Sequence, residues 1–199
     1  MWIQGSNSLV IRRAGAGDAA AVLQVFDEVI AWFVAIGNHG QWGTEPWSTS
    51  PRRIVQVTEA CAMPDAWVVE GPDGRIHAAL VLGEPMPYVP PATEPEVYVR
   101  LLIVARDERL RGLGRRLMAF ADERAGALAV QRLRVDCYGG GSGDLVRFYE
   151  SCGYERLSTF DVEGWPGQLL GRSLEPSGKG QQHQPHDGPS KCGDGPALQ

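Results

Sequence analysis

Arg109-Leu110-Arg111-Gly112-Leu113-Gly114-Arg115-Arg116-Leu117 is the stretch on which the reading of the whole chain turns. Before it, Val97, Val99, Leu101 and Ile103 alternate with Glu96, Tyr98 and Arg100, the period of a strand over Glu96–Val104. After it, Leu113, Leu117, Phe120, Ala121, Ala125 and Leu128 recur at three-to-four spacing, the buried stripe of a helix expected over Gly112–Ala129. A glycine-bearing turn at a helix start aims several unpaired backbone N–H groups at one point. Glycine lets a ligand come close to the backbone, and the helix dipole adds positive potential there. With the flanking arginines this makes a cradle for a pyrophosphate. A dinucleotide fold would place a third glycine where Leu117 stands, and a phosphate loop of the Gly-Lys-Ser/Thr type is missing.

Outward from this turn the chain reads as alternating elements. Leu9–Arg12 is a short strand. Asp18 is placed to cap a helix whose stripe is Val22, Phe26, Val29, Ile30 and Phe33, and Gly37 ends it. A second helix is expected from about Ser50-Pro51 to before Pro64. Ala66–Glu70 and Arg75–Gly83 flank the turn Gly71-Pro72-Asp73-Gly74. A proline-rich excursion, Pro85 to Pro95, leads into the Glu96–Val104 strand. Leu133–Cys137 is a strand, Leu145–Cys152 a helix, and Glu155–Val162 and Gln168–Leu174 are strands around a Gly164-Trp165-Pro166-Gly167 turn. The fold class is therefore α/β: a central mixed β-sheet flanked by about four helices. Residues 1–174 form one domain, and residues 175–199, rich in Gly, Gln and Pro, lack the apolar groups that would offset the entropy of ordering.

Bulk properties narrow the function classes. A formal charge of −5 runs against a general nucleic-acid binder. Cys61, Cys137, Cys152 and Cys192 form no CxxC and no Cys/His pair with ligand spacing, so neither a metal site nor a redox motif nor a disulfide framework is expected. No apolar run approaches the roughly 18 residues of a membrane span, and Met1–Arg13 lacks the features of a secretory leader. The expected location is the cytoplasm.

The motifs in register resemble those of the GNAT superfamily of N-acetyltransferases. Arg109, Gly112 and Gly114 stand at the positions of its Arg/Gln-x-x-Gly-x-Gly/Ala signature, between a strand and a helix. Leu145-Val146-Arg147-Phe148-Tyr149-Glu150-Ser151-Cys152-Gly153-Tyr154 is similar to its second signature, an aromatic pair on a helix followed by Gly and an aromatic. Ser142 stands where many members carry asparagine, and Ile11-Arg12-Arg13-Ala14 with Asp18-Ala19 resembles the family's opening. The resemblance implies acetyl-CoA as co-substrate, bound where Glu96–Val104 and Leu133–Cys137 splay apart. Backbone amides from Leu110 to Arg115, beside Arg109 and Ser142, would hold its pyrophosphate. It also implies Tyr149 as the proton donor to the leaving thiolate, and a backbone N–H at a bulged strand end near Ile103 or Val104 for the oxyanion.

The acceptor would be a small-molecule amine, with protein N-termini as the alternative and a non-catalytic acyl-CoA sensor as a further one. No nucleic-acid, membrane or metal partner is expected, and a homodimer is left open. Strand alternation turns Glu96 and Tyr98 toward the acceptor, with Glu96 the expected base and Glu84, Glu45 and Asp136 its rivals. The loop after the first helix carries Gln41, Trp42 and Trp47, whose aromatic faces suit a flat or cationic substrate; Tyr88 on the proline-rich segment could form another wall.

Overall fold

The structure, a computed structural model, describes residues 8–174, so the tail expected over 175–199 lies outside the described residues. Seven strands and four helices follow in order. These are β1 (Val10–Arg13), α1 (Ala19–Ala35), α2 (Pro51–Cys61), β2 (Asp65–Glu70), β3 (Ile76–Gly83), β4 (Val97–Val104), α3 (Leu113–Ala127), β5 (Arg132–Tyr138), α4 (Asp144–Ser151), β6 (Glu155–Val162) and β7 (Trp165–Ser173). The strands form one sheet in the order β1-β2-β3-β4-β5-β7-β6. Every neighbouring pair is antiparallel except β4 with β5. That pair sits mid-sheet and is joined through α3, as a parallel crossover requires.

The apolar periods explain which surfaces meet. Val22, Val25, Phe26, Val29 and Ile30 of α1 are buried with Ala78, Leu80 and Leu82 of β3, Val97 and Val99 of β4, and Leu133 and Val135 of β5. Leu113, Leu117, Met118, Ala121 and Ala125 of α3 join the same cluster. Tyr98 belongs to a separate small cluster with Val89 and Leu169, against which Met86 and Phe160 pack. Alternation along β4 thus sends Val97 and Val99 into one core and Tyr98 into the other.

Three local expectations are corrected. Asp18 does not cap α1 through its side chain. Its carboxylate accepts from the Gly15 amide at 2.9 Å and from Arg12 at 2.8 and 3.0 Å, and a 3-10 turn at Ala16–Asp18 precedes the helix. Leu128 is exposed, because α3 ends at Ala127 before the stripe returns to the sheet. The last hairpin turns two residues earlier than expected. Val162 pairs with Trp165, leaving Glu163 (φ 53°) and Gly164 (φ 83°) as the two central residues. Two positive φ values suit the right-handed twist of the flanking strands, and they place Trp165 and Pro166 inside β7.

Left-handed backbone costs a non-glycine residue roughly 1–2 kcal/mol, and asparagine bears it most easily. Glu163→Asn should therefore stabilise the protein by up to about 1 kcal/mol in chemical denaturation. A loss of stability would contradict the turn assignment.

Candidate active site

β4 and β5 are both long enough for a full ladder, yet they pair only at Val97–Leu133, Tyr98–Arg134 and Val99–Val135. The reason lies on the other edge of β4. Its register with β3 shifts between Val81, opposite Leu101, and Leu82, opposite Val99, so Arg100 is an extra residue. A bulge bends its strand and raises the local twist, and the parallel ladder ends at the residue just before it. Arg100–Val104 and Asp136–Tyr138 thereafter run without pairing to each other, leaving backbone groups of β4 open to the gap. The bulge was expected near Ile103 or Val104. Those residues instead pair regularly with Ala79 and Ala78, so the irregular backbone lies nearer Arg100 and Leu101.

The C-terminal end of β4 leads into the arginine- and glycine-bearing turn. Here the amide inventory is narrower than expected. The Arg109 amide is spent on Asp107 Oδ1 at 2.9 Å, the Leu110 amide on the Asp107 carbonyl, and the Arg111 amide on the Glu108 carbonyl. Among the described residues, the amides of Gly112, Leu113, Gly114 and Arg115 have no backbone acceptor; the first helical bond is Arg116 N to Gly112 O. Gly112 takes φ 83°, which starts the helix in a left-handed step that other residues resist. At Gly114 a Cβ would stand 3.2 Å from the Phe148 ring, so its absence lets the start of α3 pack on α4.

The side chains of the turn are largely committed or packed. The Arg109 guanidinium folds onto Asp107 at 2.5 Å and holds that carboxylate down at about 2, while Leu110 and Leu113 are buried. Arg115 reaches Ser151 on α4, both at its carbonyl and, at 2.9 Å, at its hydroxyl. Arg106 lies 3.7 Å over the Trp32 ring of α1. Ser142 is exposed and donates to Asp144 at the start of α4.

Tyr149 is buried on α4, edge-on to Phe148 at 5.1 Å. Burial with Cys137, Tyr154 and Asp136 nearby drives its phenol well above its ordinary range. It therefore keeps its proton at physiological pH. Cys137 beneath it is pushed up to about 12 by the same burial.

On the opposite face of β5 the expected base is engaged elsewhere. Glu96 faces Arg134 with both oxygens; Oε1 lies 2.6 Å from Nη2 and Oε2 accepts from Nε, and the two side chains are only 7% and 5% exposed. This buried bidentate pair leaves Glu96 as a structural partner of Arg134. Its rival Asp136 is differently placed. It accepts hydrogen bonds from Tyr98, whose ring is wholly buried, and from Tyr88 at 3.3 Å. Among the described residues no cation pairs with Asp136. Desolvation raises its pKa against the opposing pull of the two phenols. Glu84 is exposed, its carbonyl accepting from Arg100 at 2.8 Å, and Glu45 is exposed on the loop before α2.

The expected tryptophan wall is a core instead. Trp47 stacks on Phe26 at 4.1 Å and Trp42 meets Phe26 and Phe33 edge-on at 5.2 and 5.6 Å, so both fasten the loop to α1. Gln41 is nearly buried, and its carbonyl accepts from Trp165 Nε1 at 3.0 Å. That bond leads to a ring chain of which the sequence reading had only Tyr88. Tyr88, Phe160, Trp165 and Tyr138 form a chain of rings with centroid separations of 5.4, 6.2 and 5.9 Å. The parity of Arg134, Asp136 and Tyr138 along β5 was the available signal, since it sets all three on one face.

The roles of Glu96 separate cleanly by substitution. Glu96→Ala would strand a buried arginine and should destabilise the fold by about 3–5 kcal/mol in denaturant unfolding. An alanine variant of unchanged stability would show that the pair is not holding the site.

Comparison with known proteins follows the same lines. The family model for the acetyltransferase (GNAT) domain matches residues 65–156, from β2 to the start of β6. No curated protein matches the sequence. Among solved structures, an agmatine N-acetyltransferase superposes with a TM-score of 0.58 at 19% identity, covering 83% of this chain and 99% of its own. A ribosomal-protein-alanine N-acetyltransferase from Brucella melitensis gives 0.56 at 19%, covering 83% and 99%. The yncA structure from Salmonella typhimurium, solved with its cofactor acetyl-CoA, gives 0.57 at 15%, covering 93% and 99%. At these identities the likeness is one of fold.

Proposed function

We propose that this chain, a GNAT-family N-acetyltransferase, takes acetyl-CoA into the gap between β4 and β5 and transfers the acetyl group to a small-molecule amine in the cytoplasm. The single observation that carries the reading is the coincidence of the opened ladder at Arg100 with four unspent amides at the start of α3. The fit is good on two counts. Free N–H groups and the helix dipole suit a pyrophosphate, and strand backbone without a neighbour suits an amide-bearing pantetheine arm. The amides of Gly112–Arg115 would hold the diphosphate, and the gap-facing backbone of β4 would pair with the arm. Acetyl-CoA supplies an acyl thioester whose carbonyl becomes an oxyanion and whose sulfur leaves as a thiolate when an amine attacks.

The chain's own part is to place donors. Tyr149, kept protonated by burial, is the proton source on the α4 side of the gap. Backbone amides beside the bulge would meet the oxyanion, and the packing of Phe148 on Gly114 holds α4 against the glycine turn. A reducing compartment agrees with three free, buried cysteines, Cys61, Cys137 and Cys152.

Acetyl-CoA at about a hundred times its Kd should raise the melting temperature by about 5–10 °C, with free CoA acting similarly and NAD without effect. Gly112→Asp, which sets a carboxylate against the phosphates and strains the left-handed step, should abolish that shift. Tyr149→Phe should keep the shift and lower kcat by about 10–100-fold in a thiol-release assay. A Tyr149→Phe enzyme with undiminished kcat would remove the phenol from the chemistry. Absence of any CoA-induced shift in the wild-type protein would refute the proposed function itself.

A further inference from the structure

The fold and the reaction leave one cluster unexplained: a carboxylate drawn out of water, held by two phenols and given no cation. Buried carboxylates are normally paired with positive charge, because desolvation is costly without it. Around Asp136 the arginines that could serve are occupied. Arg134 is consumed by Glu96, and Arg100 is tied back to the Glu84 carbonyl. The other ionisable groups near Asp136 are Tyr98 from β4, Tyr88 from the β3–β4 segment, Cys137 beside it and Tyr149 from α4, all neutral at physiological pH, and Arg156 of β6, which acts on Cys137, is paired with Glu150. Asp136 is nevertheless only partly buried, and Tyr88 above it is exposed, so the carboxylate can be reached from solvent.

What surrounds the carboxylate is aromatic. Beyond Tyr88 the rings of Phe160, Trp165 and Tyr138 continue to the loop after α1, where Trp165 holds the Gln41 carbonyl. Ring faces and a lone carboxylate together recognise an ammonium group on a flat, apolar body. A second negative charge on the ligand would stand against the Asp136 carboxylate, and Arg100, the cation whose field reaches Tyr88, is held back on the Glu84 carbonyl.

Resting on the function proposed above, we propose that Asp136, with Tyr88 and Tyr98, is the acceptor-amine subsite, and that the acceptor is a primary alkylammonium on an aromatic or apolar body with no carboxylate beside the nitrogen. Asp136 binds the ammonium and takes one proton from it. As the C–N bond forms and the C–S bond breaks, the nitrogen's second proton neutralises the departing thiolate by way of Tyr149, and Asp136 returns its own proton to solvent. Alternation along β5 puts Asp136 on the face opposite the Cys137–Tyr149 core, so acceptor and proton donor approach the gap from its two sides. Tyr98 is a positioning residue that fixes the carboxylate.

The test compares phenethylamine with phenylalanine and with an alanine-leading peptide in a thiol-release assay, alongside the acetyl-CoA melting shift. Wild-type enzyme should favour phenethylamine over both by about 100-fold in kcat/KM. Asp136→Asn should lose about 100-fold on phenethylamine while keeping the acetyl-CoA shift. Its residual activity should rise only as the amine itself deprotonates, near pH 10, whereas the wild-type limb should rise at far lower pH with Asp136 ionisation. Tyr88→Phe, at the exposed rim, should raise KM for the amine several-fold, more than it lowers kcat. Calorimetry of phenethylamine into CoA-saturated protein should show binding in the wild type and none in Asp136→Asn. Preference for phenylalanine or the peptide, no acetylation of any of the three despite a CoA shift, or near-wild-type activity of Asp136→Asn would overturn the proposal. A wild-type protein without a CoA shift would instead strike down the underlying function.

Discussion

The parallel pairing of β4 with β5 is the constraint around which this molecule is arranged. Two adjacent parallel strands in mid-sheet would normally stay bonded along their length, because an unpaired buried amide costs as much as a lost hydrogen bond. Here the ladder lasts for three residue pairs and stops at Val99, beside the extra residue Arg100. The antiparallel partners stay paired through the same levels, β7 in unbroken register with β5 and β3 with one bulge against β4. The sheet therefore keeps its cohesion while opening along one seam, and the seam is where a backbone-like ligand can take the missing strand's place.

Other features follow from that opening. α3 starts where β4 ends, so its unspent amides lie at the mouth of the gap, and Gly114 permits the contact with Phe148 that brings α4 to the same place. Tyr149 lies in the core on the α4 side of β5, and alternation puts Asp136 on the other face of that strand. The buried Glu96–Arg134 pair braces the middle of the three levels at which β4 and β5 are bonded, since Arg134 stands opposite Tyr98. That position explains why a carboxylate so well placed in the sequence is not free to act as a base.

Much of the fold was legible in advance because it rests on periodicity and turn chemistry. The α1 stripe, the Gly71–Gly74 turn and the strand–turn–helix around Arg109–Leu117 all follow from local rules, and β6 lies at the expected residues. The site was legible in part. Tyr149 and the glycine turn stand in motifs whose spacing carries the resemblance, whereas the partner of Glu96 and the neighbours of Asp136 depend on register across strands some forty residues apart. No local pattern says that Arg134 will face Glu96, or that Tyr88 and Tyr98 will meet one carboxylate. Trp42 and Trp47 misled for a related reason, since an aromatic-rich loop reads alike whether its rings line a pocket or fasten it to a helix. The bulge was misplaced because an extra residue leaves no mark in the alternation of Leu101, Leu102, Ile103 and Val104, all apolar.

The central claim, that the seam opened at Arg100 and the amides of Gly112–Arg115 form one binding surface, is tested most directly by amide hydrogen exchange with and without CoA. Protection should appear together at the Arg100–Leu101 backbone and at Gly112–Arg115, with little change in β1–β2 or at the β6 edge. Protection confined to other elements, or at the helix start without the strand, would contradict the account.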